Sequence, residues 1–330
     1  MPAVIVRVSG QMIDSLILPK ILDEMMNQDG TFEILQLCIG KRKADPSTAR
    51  LKVSARSQPA LQSILKRLVR LGATPEVAAD AHLARARKDG VLPSAFYSTT
   101  NLPTFIRYRG RWRTVERIEM DCCLVVDPSQ PRAVCTPMIH VKRGDLVVCG
   151  SAGVRVAPLE RSRRREVFQF MHSPVSPEKP KAQLIAGVAR AMREMKRAGR
   201  KILVVAGPAL IHTGGGPFLE RLIRAGWIDV LFAGNGLATH DIESALFGTA
   251  LGVDLRRGTQ TRDGHDHHMR AINTIRDCGG IRQAVRRRVV TKGVMYACVA
   301  HRVPYVLAGS IRDDGPLPDV LTDTLIAQDV

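Results

Sequence analysis

The stretch at residues 201–216, K-I-L-V-V-A-G-P-A-L-I-H-T-G-G-G, decides the fold class. Its first six residues form an apolar run typical of a buried parallel strand, and a glycine-rich turn follows directly. Similar runs at residues 228–233 and 305–309 are also followed by turn residues, and helical patterns lie between the runs. This repetition of strand, turn and helix predicts an open, parallel, Rossmann-like α/β domain.

Residues 1–78 have the pattern of a ferredoxin-like α+β module. Alternating or β-branched runs predict strands, and apolar residues spaced three and four apart predict helices. These signals follow one another in the order β-α-β-β-α, at residues 3–9, 13–26, 32–39, 50–55 and 59–71. That order favours the ferredoxin-like arrangement.

The next segment, residues 79–175, predicts a small β-barrel. Residues 79–92 have the composition of a connector, and residues 105–156 consist of short apolar runs separated by turn signals. Regularly spaced short strands are typical of a barrel. A proline-rich break at residues 174–180 then separates this segment from the Rossmann-like domain, which we expect at residues 176–330.

The chain carries a formal net charge of +18, from 49 basic and 31 acidic residues. A charge of this size is compatible with nucleic-acid binding. The basic residues are nevertheless scattered along the whole chain, and only 4% of residues are aromatic, so bases would find few stacking platforms. We therefore interpret the charge as a solvated, arginine-rich surface and expect no nucleic-acid partner.

Cysteine usage and hydropathy indicate the cellular compartment of the protein. No apolar run approaches the roughly 18 residues that span a bilayer, and the N-terminus lacks the features of a signal peptide. Seven cysteines without a C-x-x-C pair argue against a disulfide framework and a zinc knuckle. We expect a cytoplasmic protein with reduced, mostly buried thiols and no membrane partner. General frequency alone suggests a homo-oligomer.

Candidate ligand-binding residues follow the predicted parallel strands. Open α/β sheets bind ligands beyond the carboxyl ends of their strands. The loops at that edge carry His212, Thr213, Gly214, Asn235, Gly236, His240, Asp241, Asp313 and Asp314. Glycines let backbone N–H groups approach a phosphate, and an Asp can bond a ribose hydroxyl, so a dinucleotide is the predicted ligand.

Structural alternatives exist for several of these positions. The chain has no G-x-G-x-x-G, so the loop at residues 212–216 could be an ordinary tight turn. Asp241 could cap a helix that begins at Ile242. His212 could instead bond a backbone carbonyl.

A histidine-rich stretch, G-H-D-H-H-M-R-A-I-N at residues 264–273, allows three interpretations. It could bind a metal, present one histidine to the ligand edge of the sheet, or form the N-terminal region of a helix over residues 269–277. Neighbouring side chains point to different faces of a helix, and no H-E-x-x-H is present. We therefore predict no metal site. A histidine that faces the ligand and a purely structural role both stay open.

Longer motifs carry a resemblance to a known family. They are V-V-A-G-P-A-L-I-H-T-G-G, L-F-A-G-N-G-L-A-T-H-D-I-E-S-A-L-F-G-T-A-L-G, P-Y-V-L-A-G-S-I-R-D-D-G-P-L-P-D-V, D-S-L-I-L-P-K-I-L-D-E and G-K-R-K-A-D-P-S-T-A-R-L-K-V. Together they cover the whole chain. The chain resembles the archaeal-type ornithine cyclodeaminase family, which shares its domain with the cyanobacterial bifunctional arginine dihydrolase/ornithine cyclodeaminase. The same family carries the LOR/SDH (lysine-oxoglutarate reductase/saccharopine dehydrogenase) conserved region.

The resemblance implies an NAD-dependent enzyme that converts L-ornithine to L-proline and ammonia. Hydride leaves the substrate α-carbon for NAD and returns after ring closure, so that the cofactor ends as it began. Asn235 and Gly236 are implied to contact NAD, and Asp314 to hold it through a ribose. The expected cofactor-binding residues are Asn235, Gly236, Asp314, His212, Thr213 and Gly214. Candidate acids and bases in the ligand-edge loops are Asp313, His240 and Asp241.

The chain departs from the family pattern in two places. Family members usually continue beyond the equivalent of residues 327–330, so the nucleotide-binding domain is expected to be short at its C-terminus. Gly236 stands where alanine is commoner in the family. Alternatives to the cyclodeaminase are another NAD-linked amino-acid enzyme of the lysine or saccharopine type, and a truncated, non-catalytic NAD-binding or regulatory protein.

Overall fold

The computed structural model describes residues 1–10, 16–40, 45–76, 79–130, 132–157, 181–254, 264–309 and 315–330. The chain folds as two compact units, residues 1–168 and 169–330. The predicted boundary between residues 78 and 79 lies within the first unit, and the one between residues 175 and 176 lies outside the described residues. Both boundaries stay predictions.

The first unit begins with a four-stranded antiparallel sheet and two helices. The elements are β1 (Ala3–Gly10), α1 (Ile17–Asn27), β2 (Thr31–Cys38), β3 (Ser47–Ser54), α2 (Gln58–Arg70) and β4 (Thr74–Pro75). The strand order is β2-β3-β1-β4, which is the ferredoxin-like order. Apolar residues of both helices and of the inner face of the sheet form one buried core, as the alternating pattern predicts.

Local signals explain where α2 begins and ends. The Ser57 hydroxyl oxygen accepts a hydrogen bond from the backbone N–H of Ala60 at 3.3 Å, and Pro59 occupies the first turn. Gly72 follows the helix with a φ of 93°, a conformation that favours glycine. The predicted start of α1 near Asp14 lies outside the described residues.

A curled, mixed, seven-stranded sheet forms the rest of the first unit. Its strands are β5 (His82–Arg85), β6 (Thr104–Tyr108), β7 (Arg111–Glu116), β8 (Cys123–Asp127), β9 (Arg132–Thr136), β10 (Leu146–Cys149) and β11 (Val154–Val156). Their order is β11-β6-β7-β9-β8-β10-β5, and the β7–β9 pair is parallel. The interpretation of residues 79–92 as a connector is wrong for β5. This short run has no clear alternation, and its pairing with β10 makes it a strand.

The second unit is an α/β domain around a parallel sheet. Its elements are α3 (Lys181–Arg197), β12 (Leu203–Ala206), α4 (Ala209–His212), α5 (Gly216–Arg224), β13 (Val230–Gly234), α6 (Asn235–Phe247), β14 (Thr249–Ala250), β15 (Val253–Asp254), α7 (His267–Cys278), α8 (Ile281–Arg286), α9 (Val294–Ala300), β16 (Tyr305–Ala308) and α10 (Thr324–Asp329). Strands β12, β13 and β16 pair in parallel in that order. The predicted alternation of strands and helices is confirmed.

Burial of these strands is less complete than the apolar runs predicted. Leu231 and Leu307 are buried, but Val205 is 75% exposed and Leu203 is 49% exposed. The prediction of a fully buried strand is therefore wrong for β12. Side chains alternate between the two faces of a strand, and the face that carries Leu203 and Val205 is open in the described residues.

Two expectations from composition can be compared with the structure. All seven cysteines are free thiols, and six of them are buried, as predicted. Among the described residues, no helix is both long enough and apolar enough to cross a membrane.

Candidate active site

Two of the predicted site histidines come together at the carboxyl edge of the parallel sheet. His212 ends α4, the short helix that follows β12, and His240 lies in the second turn of α6, which starts directly after β13. Their ring centroids are 4.7 Å apart in an edge-to-face arrangement. His240 is buried and His212 is exposed, so the pair extends from the interior of the second unit to its surface.

Glu243 fixes the orientation of His240 from one turn further along α6. Its Oε2 lies 2.8 Å from Nδ1 of His240. The same carboxylate accepts hydrogen bonds from the Thr249 hydroxyl at 2.8 Å and from the backbone N–H groups of Leu251 and Gly252 at 3.2 and 3.1 Å. Four donors therefore surround a side chain with no exposed surface.

These donors keep Glu243 ionised. Burial by itself raises the pKa of the carboxyl, but the hydrogen bonds from His240, Gly252 and Thr249 outweigh that effect and leave the pKa below its usual value. An ionised carboxylate only accepts hydrogen bonds, so the proton shared with His240 sits on Nδ1. His240 is thereby left with Nε2 for chemistry.

The histidine-rich stretch joins the same network through Thr249. The Nδ1 atom of His267 lies 2.8 Å from the Thr249 hydroxyl oxygen, and its ring stacks on Phe247 with 4.7 Å between centroids. Because Thr249 donates its only proton to Glu243, Nδ1 of His267 is the donor to Thr249. One buried carboxylate thus orients His240 directly and His267 through a hydroxyl.

The residues before His267 form the start of a helix. A 3-10 turn over Gly264–Asp266 leads into α7, so the helix begins two residues earlier than predicted. Asp266 is fully buried, and its carboxylate lies 3.6 Å from the Arg270 guanidinium. The His265 side chain lies outside the described residues. Within the described residues, no cluster of three or more His, Cys, Asp or Glu side chains could hold a metal ion.

Asp241 has the geometry of a helix cap, although for a different helix from the one predicted. It lies inside α6, and its two carboxylate oxygens accept the backbone N–H groups of Val294 and Met295 at 2.8 Å each, at the start of α9. The interpretation as a cap for a helix that begins at Ile242 is wrong, because α6 begins at Asn235. Burial raises the pKa of Asp241 to about 6, against the lowering effect of the two N–H groups.

The N-terminus of α6 is the part of the site that suits a phosphate. The residue before the helix is Gly234, which has no side chain to cap it, so the first N–H groups of α6 have no intrahelical acceptor. Asn235 uses its Oδ1 to accept from Thr239 at 3.2 Å and from the backbone N–H of Leu317 at 3.1 Å, which ties α6 to the segment after β16. Gly236 faces Pro208, and a Cβ there would make ordinary contact at 3.4 Å.

The glycine-rich loop after His212 is less open to a phosphate than its composition predicted. The backbone N–H groups of Thr213, Gly214 and Gly215 donate to carbonyls of Ala209, Ile211 and Leu210, at 3.0, 3.0 and 2.7 Å. These bonds close the end of α4 and use the donors that a phosphate cradle would need. The assignment of Thr213 and Gly214 to cofactor binding stays a prediction.

Two predicted residues, Asp313 and Asp314, lie outside the described residues. Two others were missed from the sequence, namely Glu243 and Thr249. Glu243 lies three residues after His240, on the same face of a helix, and this spacing in H-D-I-E could have identified the pair. No local pattern connects Thr249 to His267.

Family models match the chain almost end to end. Residues 186–330 match the Rossmann-fold region of the C-terminal part of arginine dihydrolase ArgZ-like proteins, and residues 103–185 match the first region of that part. Residues 3–102 match the conserved region of the LOR/SDH bifunctional enzyme.

Curated relatives decide the family. The chain is 53% identical over 324 residues to the ornithine cyclodeaminase of Methanothermobacter thermautotrophicus, which covers 98% of this chain and 79% of the relative. The chain belongs to the archaeal-type ornithine cyclodeaminase family. Within this ornithine cyclodeaminase family it is also 50% identical to the Methanopyrus kandleri protein, with the same coverage. It is 40% identical to the bifunctional arginine dihydrolase/ornithine cyclodeaminase AgrE of Nostoc sp., of which it covers 47%.

Solved structures of AgrE support the fold of this ornithine cyclodeaminase family member. The ternary complex of AgrE with ornithine and NAD+ is 38% identical, with a TM-score of 0.83, over 99% of this chain and 47% of the AgrE chain. Unliganded AgrE matches with a TM-score of 0.82 at the same identity. The chain thus spans about half the length of AgrE.

Proposed function

We propose that this chain is an NAD-dependent ornithine cyclodeaminase, which converts L-ornithine to L-proline and ammonia. Relatives of that name are about 50% identical over most of their length, and the AgrE complex holds ornithine and NAD+ on the same fold. The observation that carries the proposal is the buried Glu243–His240 pair beside the open N-terminus of α6.

The residues at the sheet edge fit a dinucleotide. The uncapped N-terminus of α6 offers N–H groups and a favourable potential to a pyrophosphate, and Gly236 leaves the backbone accessible. We assign Asn235 and Gly236 to this contact, and Asp314 to a ribose by resemblance. When bound, NAD supplies reversible hydride transfer at the substrate α-carbon, with no net oxidation.

We assign proton transfer to His240. With Nδ1 committed to Glu243, the free Nε2 can take a proton from the substrate amine as the α-carbon is oxidised and return it when ammonia leaves. His212 stands beside it. Partial desolvation and repulsion from His240 lower the pKa of His212, although Glu243 partly opposes this, and the lowered pKa favours the neutral imidazole. Asp313 stays a second candidate for this role.

Labelled ornithine tests the reaction. Loss of the α-nitrogen and retention of the δ-nitrogen are expected if the δ-amine attacks an imine at the α-carbon. Proline formed from L-ornithine labelled with 15N at the δ position should keep the label, and ornithine labelled at the α position should release labelled ammonia. Both products should require NAD, without accumulation of NADH.

Variants connect that reaction to the site. His240→Gln should lower the rate of proline formation by about 100-fold or more, as expected for loss of a general base. His301→Gln, an exposed histidine in the same unit, is the matched control and should keep the parent rate. Equal rates for the two variants would remove His240 from the mechanism.

The match of residues 3–102 to the LOR/SDH conserved region favours one second candidate, an NAD-linked enzyme of lysine or saccharopine metabolism. That enzyme would form NADH from lysine or saccharopine in proportion to product. The same assay with these substrates distinguishes the two activities.

A further inference from the structure

A cleft in the first unit has the charge and size of a small-molecule site. It measures about 590 Å³ and lies between the outer side of β1 and β4 and the side of the seven-stranded sheet that carries β6, β7 and β11. Pockets for metabolite-sized ligands typically measure about 300 to 1,000 Å³. The histidine cluster belongs to the other compact unit, so the cleft is a separate feature of the chain.

Arg155 forms one wall of the cleft and is held in place by aromatic rings. Its guanidinium carbon lies 4.5 Å from the Phe105 ring centroid and 5.0 Å from that of Trp112. Stacking on rings restrains a guanidinium while its N–H edge stays able to donate. Among the described residues, no carboxylate forms an ion pair with Arg155.

Arg7, on β1, supplies a second cation to the lining of the cleft. It lies on the outer face of β1, in register with Arg50 on β3 and Thr74 on β4. The acid of the cleft, Glu76, is already neutralised, because Arg50 holds it in two hydrogen bonds of 2.6 and 2.9 Å. The part of the chain that the structure describes contains no ion-pair partner within 4 Å of Arg7.

The balance of charge defines the ligand. Arg7 and Arg155 line the cleft from two different sheets, and the hydroxyls of Ser9 and Thr74 add neutral donors along its lining. A ligand with a carboxylate or phosphate at each end would pair both guanidinium groups, and these groups recognise such anions through paired N–H bonds. We propose that this cleft binds a small organic dianion that carries carboxylate or phosphate groups.

Tryptophan fluorescence can report occupancy of the cleft. The chain has two tryptophans, Trp112 in the cleft and Trp227 in the second unit. In a Trp227→Phe background, emission therefore comes from Trp112 alone. Titration with 2-oxoglutarate, adenosine 5′-monophosphate and inorganic phosphate separates dicarboxylate, phosphorylated organic and simple anionic ligands. L-Ornithine and adenosine serve as the cationic and neutral controls.

We expect a saturable change in Trp112 emission with at least one of the two organic dianions and no change with the controls. Arg7→Gln and Arg155→Gln should each weaken binding by about 10- to 100-fold, the range for loss of a charge-assisted hydrogen bond. Arg111→Gln removes the same charge from an exposed position on β7 outside the cleft, and it should change affinity by less than about twofold. Circular dichroism and the thermal midpoint check that Arg155→Gln is folded, and Arg7→Gln tests the cleft without removing a stacked side chain.

Three outcomes would overturn the proposal. The first is no saturable response to either organic dianion up to about 10 mM, a concentration that would reveal even millimolar affinity. The second is an equal loss of affinity in Arg7→Gln and Arg111→Gln, which would indicate a general effect of net charge. The third is binding of L-ornithine in preference to the dianions, which would contradict the charge argument.

Discussion

Replacement of Glu243 tests whether one buried carboxylate holds the site together. Glu243→Ala removes the acceptor of four hydrogen bonds, from His240, Thr249, Leu251 and Gly252. Leu251 is exposed and its N–H can be hydrated, whereas Gly252 and Thr249 are buried. A buried donor without a partner costs about 1 to 3 kcal/mol.

The magnitude follows from these contacts. Two buried donors, one hydrogen bond to His240 and the small cavity left by the side chain predict a loss of about 4 to 6 kcal/mol in the free energy of unfolding. Glu243→Gln keeps the shape but turns an amide NH2 toward donors, so we expect a smaller loss of about 2 to 3 kcal/mol. Total stabilities of about 5 to 15 kcal/mol make both changes readily measurable.

The assay needs a probe of the second unit alone. In a Trp112→Phe background, Trp227 reports urea unfolding of that unit. Glu194→Gln, the same substitution at an exposed position on α3, is the control and should lie within about 0.5 kcal/mol of the parent. A loss below about 1 kcal/mol in Glu243→Ala would refute the idea that this carboxylate organises the site.

Three further predictions concern neighbouring positions. Gly236→Ala should raise the free energy of unfolding by about 0.5 to 1 kcal/mol, because alanine has the better helix propensity and its Cβ has room. Gly293→Ala should lower the free energy of unfolding, since a Cβ would lie 2.8 Å from the Asp241 carboxylate at a φ of 101°. Thermal unfolding compares the two variants, and similar midpoints would contradict both expectations. The pKa of Asp241 is raised to about 6, so its ionisation lowers the stability of the folded protein as the pH rises through that value. Between about pH 4 and pH 7 the parent should lose up to about 3 kcal/mol of unfolding free energy relative to Asp241→Asn. Urea titrations of both proteins at each pH test this, and parallel dependences on pH would reject it. Thr249→Val should break the link between His267 and Glu243 and lower the rate of proline formation by about tenfold, while unchanged rates would leave that link without a catalytic role.

Local patterns in the sequence were enough for most of the fold. The ferredoxin-like order of the first module and the parallel strands of the second unit follow from apolar periodicity and turn residues, which act over a few positions. These local patterns missed β5, which is a strand because it pairs with β10. They also overestimated the burial of β12, because an apolar run does not show which face of the strand is covered.

The site was only partly predictable for the same reason. Loops after parallel strands had to meet at one edge, so His212 and His240 could be placed there in advance. The H-D-I-E spacing could have identified Glu243 as the partner of His240. Partners from distant segments of the chain could not be placed in advance. Asp241 accepts hydrogen bonds from the backbone N–H groups of Val294 and Met295, more than 50 residues along the chain. No local sequence pattern around Asp241 predicts these contacts.

The sequence by itself determined the family and most of the order of strands and helices, and it predicted the edge of the parallel sheet at which we expect a ligand to bind. Only the tertiary structure decided that Glu243 is the shared acceptor for His240 and Thr249, that His267 joins them, and that Arg7 and Arg155 face one cleft. The physical reason is the range of the interactions. Periodicity and turn chemistry are properties of adjacent residues, whereas hydrogen-bond networks and charge balance depend on which distant side chains the packed chain brings within a few ångströms.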